Sequence, residues 1–296
     1  MAKLLLGKPV AEALSERLRL RAEALRRRGI TPKLAIVRCG GNPSDLSYER
    51  GALNRAAMVG VEARVVALPE DVAKETLLDA IAALNADETV HGVLLFRPLP
   101  KHLCPFDGEI RNALDPAKDV DGMTDLSCAG VFEGRADLGF APCTPCACME
   151  ILDHYGIDPK GKRAVVIGRS LVVGKPLAML LMGRNATVTV CHTRTEDVAG
   201  EARRADILVT SAGALKSLTV AHVRPGQAVI DVSINWDANK QSAKGGLGAI
   251  AGDADFDAVA SVVDAITPVP GGVGAVTTSV LMRHVIEAAE RLAGDR

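Results

Sequence analysis

Residues 164–182, AVVIGRSLVVGKPLAMLLM, run from an apolar β segment through a polar, glycine-containing turn into an apolar helical segment. The turn holds Gly168, Arg169, Ser170, Val173, Gly174, Lys175 and Pro176. Glycines let a backbone turn tightly beside a pyrophosphate, and a helix N-terminus offers N–H groups and a positive dipole end. Pro176 suits a first helical turn, where its missing N–H would have no partner. The chemistry is phosphate binding. The spacing departs from G-x-G-x-x-G, and an ordinary βα turn reads similarly, so the neighbouring segment has to decide. That segment, TVTVC, ends in His192, Thr193 and Arg194, where an acid would serve an unphosphorylated ribose. With Arg169, these groups form a pocket for a ribose phosphate and point to NADP in preference to NAD.

Other reactive residues carry less. Cys143, Cys146 and Cys148 in PCTPCAC lack a second Cys/His pair nearby, so they read as small buried thiols beside a turn, and no metal site is expected. His91, His102, His154, His192, His222 and His284 are scattered without ligand or triad spacing. Asp119, at the start of a turn, reads as a cap on backbone N–H groups. Asp231 and Asn235 fit either cofactor contact or turn formation.

The elements that must position these residues alternate. Residues 9–29 are helical in period, 33–39 (KLAIVRC) form a strand, and 40–43 a turn. A helix over 47–58, a strand over 63–68, a helix over 74–85 and a strand over 90–97 follow. Residues 101–145 are richer in Pro, Gly and acids and read as a connector lining a site. Beyond it come strands over 163–167, 186–191, 206–210 and 227–232, a helix over 176–182, and a last helix over 277–292. Such alternation predicts parallel sheets covered by helices, with ligand crevices at the C-terminal strand ends. The predicted class is α/β in two domains: residues 1–144 with 276–296, and a Rossmann-like NAD(P)-binding domain over 145–275.

Composition narrows the partners. The 296 residues are 48% hydrophobic and 24% charged, which suits a folded core and excludes a mainly disordered chain. Basic and acidic residues number 35 and 36, and aromatics are 3%, so neither charge nor stacking favours nucleic acid. No apolar run suggests a membrane span, the start does not read as a signal peptide, and a soluble cytoplasmic protein is expected. The seven cysteines fit a reducing compartment.

Four motifs, GRSxxVGKP at 168–176, KDVDG at 118–122, PCTP at 142–145 and TPVPGGVG at 267–274, occur in one order along the chain. Together they resemble the methylenetetrahydrofolate dehydrogenase/cyclohydrolase family. The resemblance implies a folate cleft between two α/β domains, a homodimer, and NADP-dependent oxidation of 5,10-methylene-tetrahydrofolate followed by hydrolysis to the 10-formyl form. It also implies that Tyr48 packs on the aminobenzoyl ring of the folate and that Asp121 hydrogen-bonds the pterin. Pro270, Gly271, Gly272 and Val273 would line the cleft.

Two positions depart from the family pattern. Its catalytic lysine, four residues after the tyrosine, is Ala52 here, and its glutamine is Phe96. Ala275 and Val276 replace the usual Pro-Met. Hydride transfer needs mainly alignment of two carbons, whereas hydrolysis of the methenyl cation needs a positioned acid/base. Arg97 points away from Phe96 along a strand, and Arg55, on Tyr48's helix face, stays protonated. The expectation is a dehydrogenase with weak or absent cyclohydrolase activity. A fully bifunctional enzyme and a silent folate or nucleotide binder are the alternatives.

Overall fold

The computed structural model describes residues 1–241 and 247–294. The chain divides into two compact units, Met1–Ala11 with Thr144–Thr277, and Glu12–Cys143 with Thr278–Arg296.

The second of these units is built on a parallel three-stranded sheet in the order Glu62–Leu68, Lys33–Cys39, Gly92–Leu95. Its central strand is flanked on both sides, so Leu34 to Val37 are fully buried, as expected for a parallel sheet. Leu77, Ile81 and Leu84 of the helix Lys74–Ala86 join Ala35, Val37, Val93 and Leu95 in one core. The helix carrying Tyr48 begins earlier than its periodicity suggests, at Pro43. Asn42 accepts from Ser44 N at 3.0 Å as its cap, and Pro43 occupies the first turn. The helix ends at Val59, where Gly60 takes φ 80°, a left-handed cap that favours glycine.

The stretch read as a connector is more ordered than its composition implies. It holds the helices Asp107–Asn112 and Asp125–Glu133, the latter capped by Thr124. The strand predicted over 90–97 is also shorter, covering Gly92–Leu95.

The other unit contains a parallel six-stranded sheet in the order Lys3–Leu4, Ala265–Ile266, Ala228–Asp231, Ile207–Thr210, Arg163–Ile167, Thr187–Cys191. From Arg163–Ile167 the chain moves to one neighbour, Thr187–Cys191, and then returns to the other, Ile207–Thr210. That reversal is the topological switch point at which doubly wound sheets take ligands. Residues 1–11, assigned above to the first domain, belong here instead. Lys3 and Leu4 pair with Ala265 and Ile266, a long-range register that local periodicity does not reveal. An antiparallel pair, Asn235–Gln241 with Leu247–Ala251, is a further element the sequence reading omits. No helix among the described residues is long and apolar enough to cross a membrane.

Candidate active site

Within the unit Glu12–Cys143 with Thr278–Arg296, one helix and one strand end bring Tyr48, Ala52 and Phe96 into a single neighbourhood. Ala52, Ala56 and Val59 form the buried face of the helix Pro43–Val59. Ala52 is 0% exposed, so its methyl is packed on every side. Phe96 follows the strand Gly92–Leu95, and its N–H donates to Val37 O at 2.9 Å, holding the strand end in register. Its ring meets the Tyr48 ring edge to face, with centroids 5.9 Å apart and planes at 79°. This aromatic geometry is favourable by about 0.5–1.5 kcal/mol beyond area burial. Neither Ala52 nor Phe96 brings a titratable group.

Of the cations nearby in sequence, Arg97 and Arg55 have partners of their own. Arg97 binds Asp107 with two hydrogen bonds, of 2.9 and 2.6 Å. Arg55 donates to Ser15 Oγ at 3.0 Å, and burial lowers its pKa, opposed by the charge of Glu12. A guanidinium remains a cation under such conditions, so Arg55 supplies no base.

KDVDG divides into scaffold and site. Lys118 donates from Nζ to Leu84 O, Asn85 O and Asp87 O, closing the end of the helix Lys74–Ala86. Asp119 is fully buried and accepts from Met123 N, Thr124 N and Ser127 Oγ, the capping role its position suggests. Gly122 takes φ +68°, and a Cβ there would lie 2.4 Å from Phe140 O, so the turn demands glycine. Asp121, the second carboxyl of the motif, has a different environment. Burial pushes its carboxyl up to about 7, and the Asp119 carboxylate adds to the rise. A hydrogen bond with Cys143 and the charge of Arg97 pull the other way. Near neutral pH, Asp121 can therefore either donate or accept a proton in a hydrogen bond.

Cys143 and His284 both approach the carbonyl of Val120, next to Asp121, at 3.4 and 2.8 Å. Burial first, then the charge of Arg283, lowers the His284 pKa to about 3. It is therefore neutral, and Nδ1–H donates to Val120 O. Cys143, Cys146 and Cys148 are all buried in the helix Cys143–His154.

In the unit of Thr144–Thr277 with Met1–Ala11, the segment after Arg163–Ile167 folds as a tight loop. Gly168 has φ +128°, and a Cβ there would sit 2.5 Å from Ser211 Oγ. A Cβ on Gly174 would lie 2.1 Å from Gly168 O. Ser170 Oγ accepts from Val173 N at 3.0 Å and from Gly174 N at 3.4 Å, and Ser170 O accepts from Lys175 N. Those helix N–H groups, expected to be open to a ligand, are thus already satisfied. The open donors lie one turn earlier. The N–H groups of Arg169, Ser170, Leu171 and Val172 make no hydrogen bond to another described residue. Arg169, Ser170 and Lys175 are exposed.

Gly168 N donates to Cys191 O at 2.9 Å, which sets the loop beside the end of Thr187–Cys191. His192, Thr193 and Arg194 follow that strand end, with Thr193 and Arg194 exposed. The donor set is therefore cationic and rich in N–H groups, and it suits the phosphates of a dinucleotide. Among the described residues, no group of three or more His, Cys, Asp or Glu is arranged to hold a metal ion.

Residues 267–274 close against the chain start. Gly7 N donates to Gly271 O at 2.8 Å, and a Cβ on Gly7 would lie 2.0 Å from Gly272 O. Pro270 and Gly271 are exposed, whereas Gly272 and Val273 are buried. Asp231 and Asn235, left open between cofactor contact and turn formation, hydrogen-bond to the segment around Asp253. Asp231 accepts from Asp253 N and Ala254 N, and Asn235 Nδ2 donates to Asp253 Oδ1. Asp253 itself was not singled out by the sequence. An acid in GDADFD offers no spacing that would mark it.

Comparison with known proteins also divides the chain in two, with boundaries that differ from the structural units at residues 5–11 and 278–293. Residues 5–121 match the catalytic-domain model, and residues 142–293 the NAD(P)-binding-domain model, of tetrahydrofolate dehydrogenase/cyclohydrolase. The bifunctional protein FolD of Carboxydothermus hydrogenoformans is 49% identical over 294 residues, 99% of each chain. The crystal structure of the bifunctional enzyme FolD from Campylobacter jejuni has a TM-score of 0.91 at 36% identity, covering 98% of this chain and 99% of that one. The Trypanosoma brucei methylenetetrahydrofolate dehydrogenase-cyclohydrolase, solved with NADP cofactor and an inhibitor, has a TM-score of 0.90 at 33% identity. That match covers 98% of each chain.

Proposed function

The chain belongs to the tetrahydrofolate dehydrogenase/cyclohydrolase family, and we propose that it oxidises 5,10-methylene-tetrahydrofolate with NADP while hydrolysing the methenyl product slowly or not at all. One observation carries the second half of this reading. The Tyr48 ring meets Phe96, and the residue one helical turn from Tyr48 is the buried Ala52. That surface can hold a flat ring and exclude water, but neither neighbour of Tyr48 can activate a water or move a proton.

Oxidation asks less of it. NADP, when bound, supplies the hydride acceptor. Removing hydride from the methylene carbon leaves a cation stabilised by two nitrogens, so no base is needed at that step. The protein's work is alignment. In this proposal Tyr48 stacks on the aminobenzoyl ring and Asp121 binds the pterin edge. Pro270, Gly271, Gly272 and Val273 line the folate side. Gly168, Arg169, Ser170, Val173, Gly174, Lys175 and Pro176 cradle the phosphates, supported by the open N–H groups of Arg169 to Val172. His192, Thr193, Arg194 and Arg169 favour the phosphorylated ribose. The working form is proposed as a cytoplasmic homodimer.

The bifunctional FolD relatives favour a second reading, full bifunctionality through another base. The dehydrogenase half is tested by adding methylene-tetrahydrofolate to enzyme with NADP or NAD and following reduction of the dinucleotide. NADP reduction is expected, at a kcat/KM at least tenfold above that for NAD. No reduction with either dinucleotide would leave a silent binder.

A further inference from the structure

Asp253 lies far in sequence from the phosphate loop, yet its fully buried carboxylate organises the loops at the switch point of the six-stranded sheet. Oδ2 accepts from Thr210 Oγ1 at 2.8 Å, Ala212 N at 2.7 Å and Ser233 Oγ at 2.8 Å. Oδ1 accepts from Ala214 N at 2.9 Å and Asn235 Nδ2 at 3.0 Å. Ser233 Oγ also accepts from Gly213 N at 3.1 Å. All five partners of the carboxylate are donors, and they come from the C-terminal ends of two adjacent strands, Ile207–Thr210 and Ala228–Asp231, and the residues that follow them.

Loop 211–214, held this way, abuts the phosphate loop. Ser211 N donates to Ile167 O at 2.8 Å, and Ser211 Oγ and O are the atoms that a Cβ on Gly168 would strike. The carboxylate is itself locked in place. Asp231 accepts from Asp253 N at 3.1 Å and Ala254 N at 2.9 Å, and a Cβ on Gly252 would lie 2.0 Å from Asp231 Oδ2. A neutral polar group in place of this carboxylate could not accept from five donors at once.

We propose that Asp253 is a positioning residue of the dinucleotide site, setting loop 211–214 against Gly168 and thereby fixing the shape of the phosphate loop. The proposal rests on the reading of this site as an NADP site. Asp253 touches the ligand nowhere in this account and acts through the loop.

Asp264 supplies the control. Its Oδ1 accepts from Gly226 N at 2.9 Å, before the start of Ala228–Asp231 and so at the opposite end of the same sheet. The whole chain is compared with Asp253→Asn, Ser233→Ala and Asp264→Asn by NADP titration in a calorimeter and by steady-state kinetics. Asp253→Asn is expected to weaken NADP binding and raise the NADP KM by tenfold or more, with the folate KM unchanged. Ser233→Ala, which removes two links of the network, is expected to weaken NADP binding about threefold. Asp264→Asn is expected to leave NADP binding as in the wild type, even where its melting temperature falls. Should Asp253→Asn not fold, Ser233→Ala decides. Folded variants at Asp253 or Ser233 with wild-type NADP affinity, or with NADP and folate KM raised alike, would overturn the positioning role. Wild-type protein that binds no NADP would instead remove the dinucleotide reading, and the proposal with it.

Discussion

Restoring Ala52→Lys together with Phe96→Gln is expected to raise the rate of methenyl-tetrahydrofolate hydrolysis by about 10²-fold or more, the lower end of what a positioned acid/base contributes. Both changes are needed for a physical reason. Ala52 is 0% exposed, so a lysine there enters a packed site, and its ammonium requires polar company. Phe96 withholds that company, and its ring closes the space beside Tyr48. Glutamine offers both a donor and an acceptor and gives back volume. The same burial that makes lysine costly lowers its pKa, which is what a proton carrier near neutrality needs. Ala52→Lys alone is expected to lower the melting temperature with little gain in hydrolysis. The assay is loss of methenyl absorbance above the uncatalysed rate. A double variant that folds, keeps its dehydrogenase rate and still shows no acceleration would refute the assignment of these two positions.

Gly168→Ala is expected to weaken NADP binding by about 10²-fold. Its φ of +128° is a conformation that L side chains rarely adopt, and holding one there costs on the order of 1–3 kcal/mol. The new Cβ would also lie 2.5 Å from Ser211 Oγ and 2.6 Å from Ser211 O, and the second of these is backbone that cannot swing aside. Either the phosphate loop or the loop at Ser211 must move, so the open N–H groups of Arg169 to Val172 lose their arrangement. About 1.4 kcal/mol corresponds to a tenfold change in affinity, so the combined strain accounts for the expected loss. Gly183→Ala is the matched control, since its Cβ would meet nothing within 4 Å. Calorimetric titration should show Gly183→Ala binding NADP like the wild type. Equal affinities in the two variants would contradict a phosphate role for the loop.

The sequence made the local features plain and hid the long-range ones. KLAIVRC and RAVVI read as strands because central parallel strands are apolar on both faces, and they appear as Lys33–Cys39 and Arg163–Ile167. The turn after RAVVI carried its own chemistry in its glycines, Arg169 and Pro176. Lys3–Leu4 was missed because two residues have no period, and only pairing with Ala265 and Ile266 makes them a strand. The polar run NWDANKQ gave no alternating signal, yet it pairs antiparallel with Leu247–Ala251. The helices Asp107–Asn112 and Asp125–Glu133 lay in a stretch whose prolines, glycines and acids resemble loop composition. In KDVDG, the scaffold role of Asp119 is fixed by the three donors that converge on it, which only the fold brings together. Asp253 was invisible for the same reason, since a carboxylate hub is defined by what folds onto it.

The most direct test of the account is the identity of the folate product during turnover. Enzyme, 5,10-methylene-tetrahydrofolate and NADP are mixed, and NADPH, methenyl and 10-formyl forms are quantified together over time. Methenyl-tetrahydrofolate is expected to accumulate close to one for one with NADPH and to decay at or near its uncatalysed rate. Formation of 10-formyl-tetrahydrofolate in step with NADPH would contradict it.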